Sequence, residues 1–120
     1  MTLKTNYHYE AVIVNVVDGD TIDALVDLGF NITSKMRLRL FGIDTKEINS
    51  KIVEERDLAN KAKDLVTNLL LNKRVLLQTF KPDKYGRYLA NIYETADSVS
   101  INDKLISEGL AVAYFGGAKE

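Results

Sequence analysis

The sequence predicts an α+β, mainly β fold: a five-stranded barrel with a helix between strands three and four and a short C-terminal helix, the arrangement of an OB fold. Three observations carry this. Apolar and polar residues alternate with period two through the first third of the chain. After Ser50 the period becomes helical, and at Val75 it returns to that of a strand. Gly, Asp and Asn clusters punctuate the strands.

Residues 8–17 form a first strand, ending in Val12-Ile13-Val14 and Val16-Val17. Asp18-Gly19-Asp20 is a turn. Thr21 to Leu28 is a second strand with Ile22, Ala24, Val26 and Leu28 on one face and Asp23 and Asp27 on the other. Gly29-Phe30-Asn31 is a hairpin turn leading into a third strand, Ile32 to Phe41. Asn49 and Ser50 are candidate helix caps. Leu58, Ala62, Leu65, Val66, Leu69 and Leu70 then fall on one helical stripe that ends near Asn72. Val75 to Phe80 is a fourth strand, 82–86 a turn, and Arg87 to Tyr93 a fifth strand. Ser100 and Asp103 resemble a capping box in its Asp form, Ile101, Leu105 and Ile106 make the apolar face of a short helix, and Gly109 stops it. Leu110 to Phe115 is a final extended segment.

The 120 residues fit one domain spanning residues 1–120, able to bury roughly two thirds of the surface of its unfolded chain. Without cysteine there is no disulfide and no thiolate metal site, and a single histidine, His8, builds neither a zinc site nor a Ser-His triad. His8 reads as an incidental surface residue. The amino terminus lacks the apolar run of a signal peptide, and no stretch is long and apolar enough to cross a membrane. A cytoplasmic protein is the expectation, or a secreted one if a leader precedes this sequence. A net charge of −1 is not that of a non-specific nucleic-acid binder, so any phosphate binding rests on local charge. The oligomeric state stays open.

Chemistry concentrates in Met36 to Glu47, where an alternating strand carrying Arg37 and Arg39 breaks at Gly42 and delivers Asp44 and Glu47. Asp20, Asp44 and Glu47 come from two segments, each just after a strand. Hard cations take carboxylate and carbonyl oxygens. Asp20 and Asp44 supply the former, and the Thr45 carbonyl the latter, if the segments meet. Taken singly, Asp18-Gly19-Asp20 reads better as a turn and Asp44 as a cap. Arg39 stands between leucines, where a guanidinium suits a phosphate better than it suits packing. Its bland alternative, a cross-strand pair with Asp23 or Asp27, fits Arg37 better. Asp83-Lys84-Tyr85-Gly86-Arg87 gathers an acid, two cations and an aromatic around one turn; Tyr85 is placed to stack on a base. Tyr114 is a further aromatic candidate, while Tyr88 and Tyr93 read as packing residues.

Asp18-Gly19-Asp20-Thr21, then Arg39-Leu40 through Asp44-Thr45-Lys46-Glu47, then Asp83-Lys84-Tyr85-Gly86-Arg87 followed by Leu89-Ala90, occur in this order. Together with the helix starting at Ala62, Ile101-Asn102 and Gly109-Leu110-Ala111, this register resembles the staphylococcal nuclease (thermonuclease) family from about Ala11 to Tyr114. The resemblance implies a Ca²⁺-dependent nuclease hydrolysing DNA and RNA phosphodiesters, favouring single strands and leaving 3′-phosphates. It implies that Asp20, Asp44 and the Thr45 carbonyl hold Ca²⁺, that Glu47 is the general base or orients the water, and that Arg39 and Arg87 bind the phosphate. It implies that Lys84, Tyr85 and Tyr114 line the nucleotide pocket and that Leu40 and Leu89 lie near the base. The chain departs from the family pattern in having Lys46 where a Pro is usual, a longer hairpin before Arg39, a shorter loop before Asp83, and no third family helix before Glu120. The alternative is a weak or inactive OB-fold module binding nucleic acid or protein. Such relatives have generally lost the acids or arginines retained here.

Overall fold

The computed structural model of the chain describes residues 7–80 and 86–114. Five strands close into a barrel: β1 (Tyr7–Asp18), β2 (Thr21–Asp27), β3 (Thr33–Leu40), and, after a three-residue β4 (Ile43–Thr45) and the helix α1 (Val53–Leu70), β5 (Arg74–Thr79) and β6 (Tyr88–Tyr93). Their order round the barrel is β1-β2-β3-β6-β5. All barrel pairs are antiparallel except β3–β6, which lie parallel because α1 and β5 intervene between them. The helix α2 (Ile101–Ser107) and the short β7 (Ala111–Ala113) follow. This is the predicted α+β barrel, with one addition: β4 and β7 pair in a two-stranded sheet beside it.

Closure demands that β1 serve two neighbours. Its first half pairs with β5 and its second with β2, and register shifts between Ile13 and Asn15 and between Val16 and Asp18 bend it from one to the other. Inside lie Ile13, Ile22, Ala24, Leu38, Leu40, Leu77 and Ile92. The α1 stripe that closes the barrel is Ala59, Ala62, Val66 and Leu70, with Leu65 and Leu69 packed at its flank and Leu58 only partly buried.

Several boundaries differ from expectation for local reasons. Leu28 is exposed, because β2 ends at Asp27 and the next residues form the hairpin tip. Asn49 and Ser50 do not cap α1; its N-cap is Ile52. The Ser50 hydroxyl instead accepts from the Ile52 N–H and donates to Glu55. The cap of α2 is as expected: Ser100 Oγ accepts from the Asp103 N–H at 3.0 Å. At its other end the N–H groups of Gly109 and Leu110 return to the carbonyls of Ile106 and Leu105. Buried Asn102 fastens α2 to the barrel, accepting from the Ile92 N–H and donating to the carbonyls of Phe41 and Ala90.

Candidate active site

The site forms where the β1–β2 turn meets the end of β3. The turn is held down from two sides. Gly19 sits so close to α1 that an added Cβ would lie 2.6 Å from Ala62 Cβ. The Asp20 carbonyl accepts from the Leu40 N–H, fixing Asp20 beside β3. On the other side of the site, Gly42 takes φ 77°, a conformation that costs a Cβ-bearing residue, and so folds β4 back beside the β3 end. Asp20 and Asp44, distant in sequence, are thereby brought to the same guanidinium.

That guanidinium is Arg39. Its Nη1 lies 3.1 Å from Asp20 Oδ2 and its Nη2 3.2 Å from Asp44 Oδ1, and Nη2 also donates to the Ile43 carbonyl. All three side chains are largely buried. Asp20 is further satisfied by the Thr45 N–H at 3.3 Å and by the Thr21 hydroxyl at 3.1 Å. Burial alone would push its carboxyl up, but Asp18, Arg39, the Thr45 N–H and Thr21 outweigh burial and hold it below the usual carboxylate range. Burial likewise opposes the charge on Arg39, and its two acid partners more than restore it.

Asp18 belongs to the same constellation, although its place in a turn motif hides it. Its Oδ1 accepts from the Asp20 N–H at 3.1 Å. Burial, followed by the hydrogen bond and charge of Asp20, pushes its carboxyl up to about 6. A D-x-D spacing across a tight turn is the signal that could have found it.

The other predicted residues distribute as follows. Arg87 and Arg39 line one cleft of about 470 Å³, together with Thr21, Lys35, Arg37 and Tyr88. Arg37 makes the cross-strand pair expected of it, with Nε 2.9 Å and Nη2 3.2 Å from the Asp23 carboxylate. Glu47 is exposed, two residues beyond β4. Among the described residues no three His, Cys, Asp or Glu side chains gather into a metal cluster, so Glu47 does not join Asp20 and Asp44 in one. Leu40 is 1 % exposed and belongs to the barrel core, so the contact with a base expected of it gives way to packing. Leu89 is half-buried. Tyr114 is half-buried beside β4, its N–H donating to the Gly42 carbonyl. Tyr88 is not the packing residue expected; it is 47 % exposed at the cleft, because β6 begins there. Tyr93 is half-buried. Lys84 and Tyr85 lie outside the described residues. A larger depression of about 770 Å³ opens elsewhere, lined by His8, Asp27, Leu76 and Tyr93 among others, and none of the predicted site residues lines it.

The acids that meet at Arg39, Asp20 and Asp44, offer oxygen donors only, which suits a hard divalent cation. Two carboxylates from separate segments meet at one guanidinium, beside a cleft lined by arginines. No helix of the described residues is long and apolar enough to cross a membrane.

The sequence model of the family described as "Staphylococcal nuclease homologue" matches residues 37–120. A "Thermonuclease" of Staphylococcus hyicus is 34% identical over 105 residues, covering 86% of this chain and 58% of that protein. An uncharacterized protein of Methanocaldococcus jannaschii is 32% identical over 134 residues, covering 93% of this chain and 62% of its own. An "Uncharacterized endonuclease" of Escherichia coli is 29% identical over 102 residues, covering 85% and 59%. The chain thus spans less than two thirds of the length of these curated relatives.

Proposed function

The chain belongs to the staphylococcal nuclease homologue family, and from that premise we propose that it is a Ca²⁺-dependent nuclease acting on single-stranded DNA or RNA. The observation that carries the reading is the bridge Asp20–Arg39–Asp44, at 3.1 and 3.2 Å, on the edge of the cleft that Arg87 also lines. A structural ion pair needs one acid for one base. Two largely buried acids on one arginine suit a site that exchanges cationic partners.

In this reading Asp20, Asp44 and the Thr45 carbonyl hold the metal. The chemistry such a cation supplies is charge neutralisation at a phosphate oxygen. Glu47 takes a proton from the attacking water or orients it, and its exposed position gives it access to solvent. Water adds to phosphorus and the bond to O5′ breaks, leaving a 3′-phosphate and a 5′-hydroxyl. Arg39 and Arg87 stabilise the charge that develops on the phosphoryl oxygens. Lys84, Tyr85, Tyr114 and Leu89 line the nucleotide pocket.

The test is cleavage of denatured DNA by the unaltered chain in Ca²⁺, by the same chain in EGTA, and by Glu47→Gln in Ca²⁺. Cleavage that needs Ca²⁺ and collapses in the variant supports the proposal. A folded protein that binds single strands and cleaves none under any condition overturns it in favour of a binding module.

A further inference from the structure

The cleft extends beyond the residues that the hydrolytic reading uses. β3 reads Thr-Ser-Lys-Met-Arg-Leu-Arg-Leu, with three cations and no acid. Lys35, Arg37 and Arg39 occupy alternate positions, so they point to one face, while Leu38 and Leu40 point into the core. All three line the same cleft, and Tyr88 lies there too. In a chain of net charge −1 the described lining of this cleft carries Lys35, Arg37, Arg39 and Arg87 and no acid, although Asp23 pairs with Arg37 and Asp20 and Asp44 pair with Arg39.

We propose that the outer face of β3 is a polynucleotide track, on which Arg39, Arg37 and Lys35 take successive phosphates of one extended single strand while Tyr88 stacks on a base beside them. This rests on the nuclease reading of Arg39. Three features support it. Alternate residues of a strand are about 6.6 Å apart, close to the phosphate-to-phosphate reach of an extended, unstacked strand. Tyr88 has the inward parity of its partner Leu38, but at the very start of β6 it is released from the core, 47 % exposed, and lines the cleft with Arg37 and Arg39. Arg37 is oriented in advance: Asp23 grips its Nε and Nη2 edge, itself held by the Asn15 amide, which turns the other guanidinium edge away from the carboxylate. A solvated charge row on a sheet face would need neither the shared cleft nor an exposed tyrosine in it.

The track makes affinity depend on substrate length and on salt. The probe is a set of fluorescent oligothymidylates, from dimer to octamer, titrated by anisotropy against Glu47→Gln protein in Ca²⁺ over a range of NaCl. The reference protein is expected to gain affinity steadily from dimer to tetramer. Lys35→Gln, and Asp23→Asn/Arg37→Gln, which removes the pair together so that no buried carboxylate is stranded, should each lose part of that gain. Each should also flatten the slope of log Kd against log salt by roughly 0.7 per contact removed. Tyr88→Ala should weaken the tetramer by roughly tenfold with the salt slope retained, and Tyr88→Phe should restore it. Lys73→Gln, outside the cleft, controls for net charge. Variants that keep both the length gain and the slope, or a reference protein with no length gain, overturn the track. Cleavage by the unaltered chain tests the nuclease reading separately. Cleavage without a length gain sinks the track alone, a length gain without cleavage sinks the enzyme alone, and neither binding nor cleavage sinks both.

Discussion

Replacing Gly19 by Ala should damage the site without touching any of its polar groups. The new methyl would meet Ala62 Cβ at 2.6 Å and Thr45 Cγ2 at 3.1 Å. Carbon atoms rest about 3.5–4.0 Å apart, so the turn or the helix must give by about 1 Å. Ala62 is wholly buried and its Cβ has no rotamer to change, so much of that movement falls on the Asp18–Asp20 turn. Overpacking of this kind costs about 1–3 kcal/mol. A displacement of about 1 Å in a catalytic constellation lowers turnover by about 10²-fold. The reciprocal change, Ala62→Gly, removes the obstructing methyl at about 1 kcal/mol of helix propensity and about 0.8 kcal/mol of lost burial. In Gly19→Ala/Ala62→Gly the main clash is gone and only the tight approach to Thr45 remains. Its stability loss should therefore fall short of the sum of the single losses by about 1–3 kcal/mol, and cleavage should largely return. Urea unfolding of the four proteins and their rates on denatured DNA in Ca²⁺ give both readouts. Strictly additive losses, or a Gly19→Ala protein with unaltered stability and rate, would refute the contact as the cause.

Arg39→Lys and Arg87→Ala should each lower turnover on denatured DNA by about 10²–10³-fold, and either variant running at the unaltered rate in saturating Ca²⁺ removes that arginine from the mechanism. Asp18, whose carboxyl is raised from 3.8 to about 6, contributes stability that is present below pH 4 and lost as pH rises through 6. Asp18→Asn should therefore unfold at higher urea than the unaltered chain at pH 7.5, by about 1 kcal/mol after allowance for solvent screening, and show no such advantage at pH 4 in EGTA. Asn102→Ala strands the Ile92 N–H and the Phe41 carbonyl and removes one bond to Ala90, a loss on the order of 3–5 kcal/mol in urea unfolding.

Periodicity made the barrel strands and α1 legible, because each is long enough to show its period and each buries one face. β4 was not, since three residues carry no period; β7 lies within the extended segment expected from Leu110, but its pairing with β4 depends on a turn at Gly42 far from it in sequence. Ser50 misleads as a cap because its hydroxyl has a second use within the same turn, toward Glu55. At the site, residue types pointed to Asp20, Arg39 and Asp44, but their contact arises from the Gly19 and Gly42 geometries, which sequence spacing does not encode. Leu40 was placed near a base by the family resemblance alone; the alternation that turns Arg39 toward the cleft is what turns Leu40 into the core. Tyr88 shares its parity with core residues Ala90 and Ile92, so alternation assigns it inward, and only its place at the strand's start releases it.

The two-stranded sheet has a consequence for ligand-linked dynamics. Asp20 stands on the barrel, but Asp44 stands on β4, whose ladder is shared with β7. A ligand gripping both carboxylates adds to the ties that Arg39 and the Asp20–Thr45 hydrogen bond already make between the two. Its binding energy then opposes the local fraying of Ala111–Ala113, slowing amide exchange there in proportion to 1 + [L]/Kd when that opening breaks the grip. The amides of Ala111–Ala113, none of which bears a catalytic group, thereby become a gauge of occupancy at the site whose Asp44 and Thr45 they flank in the ladder.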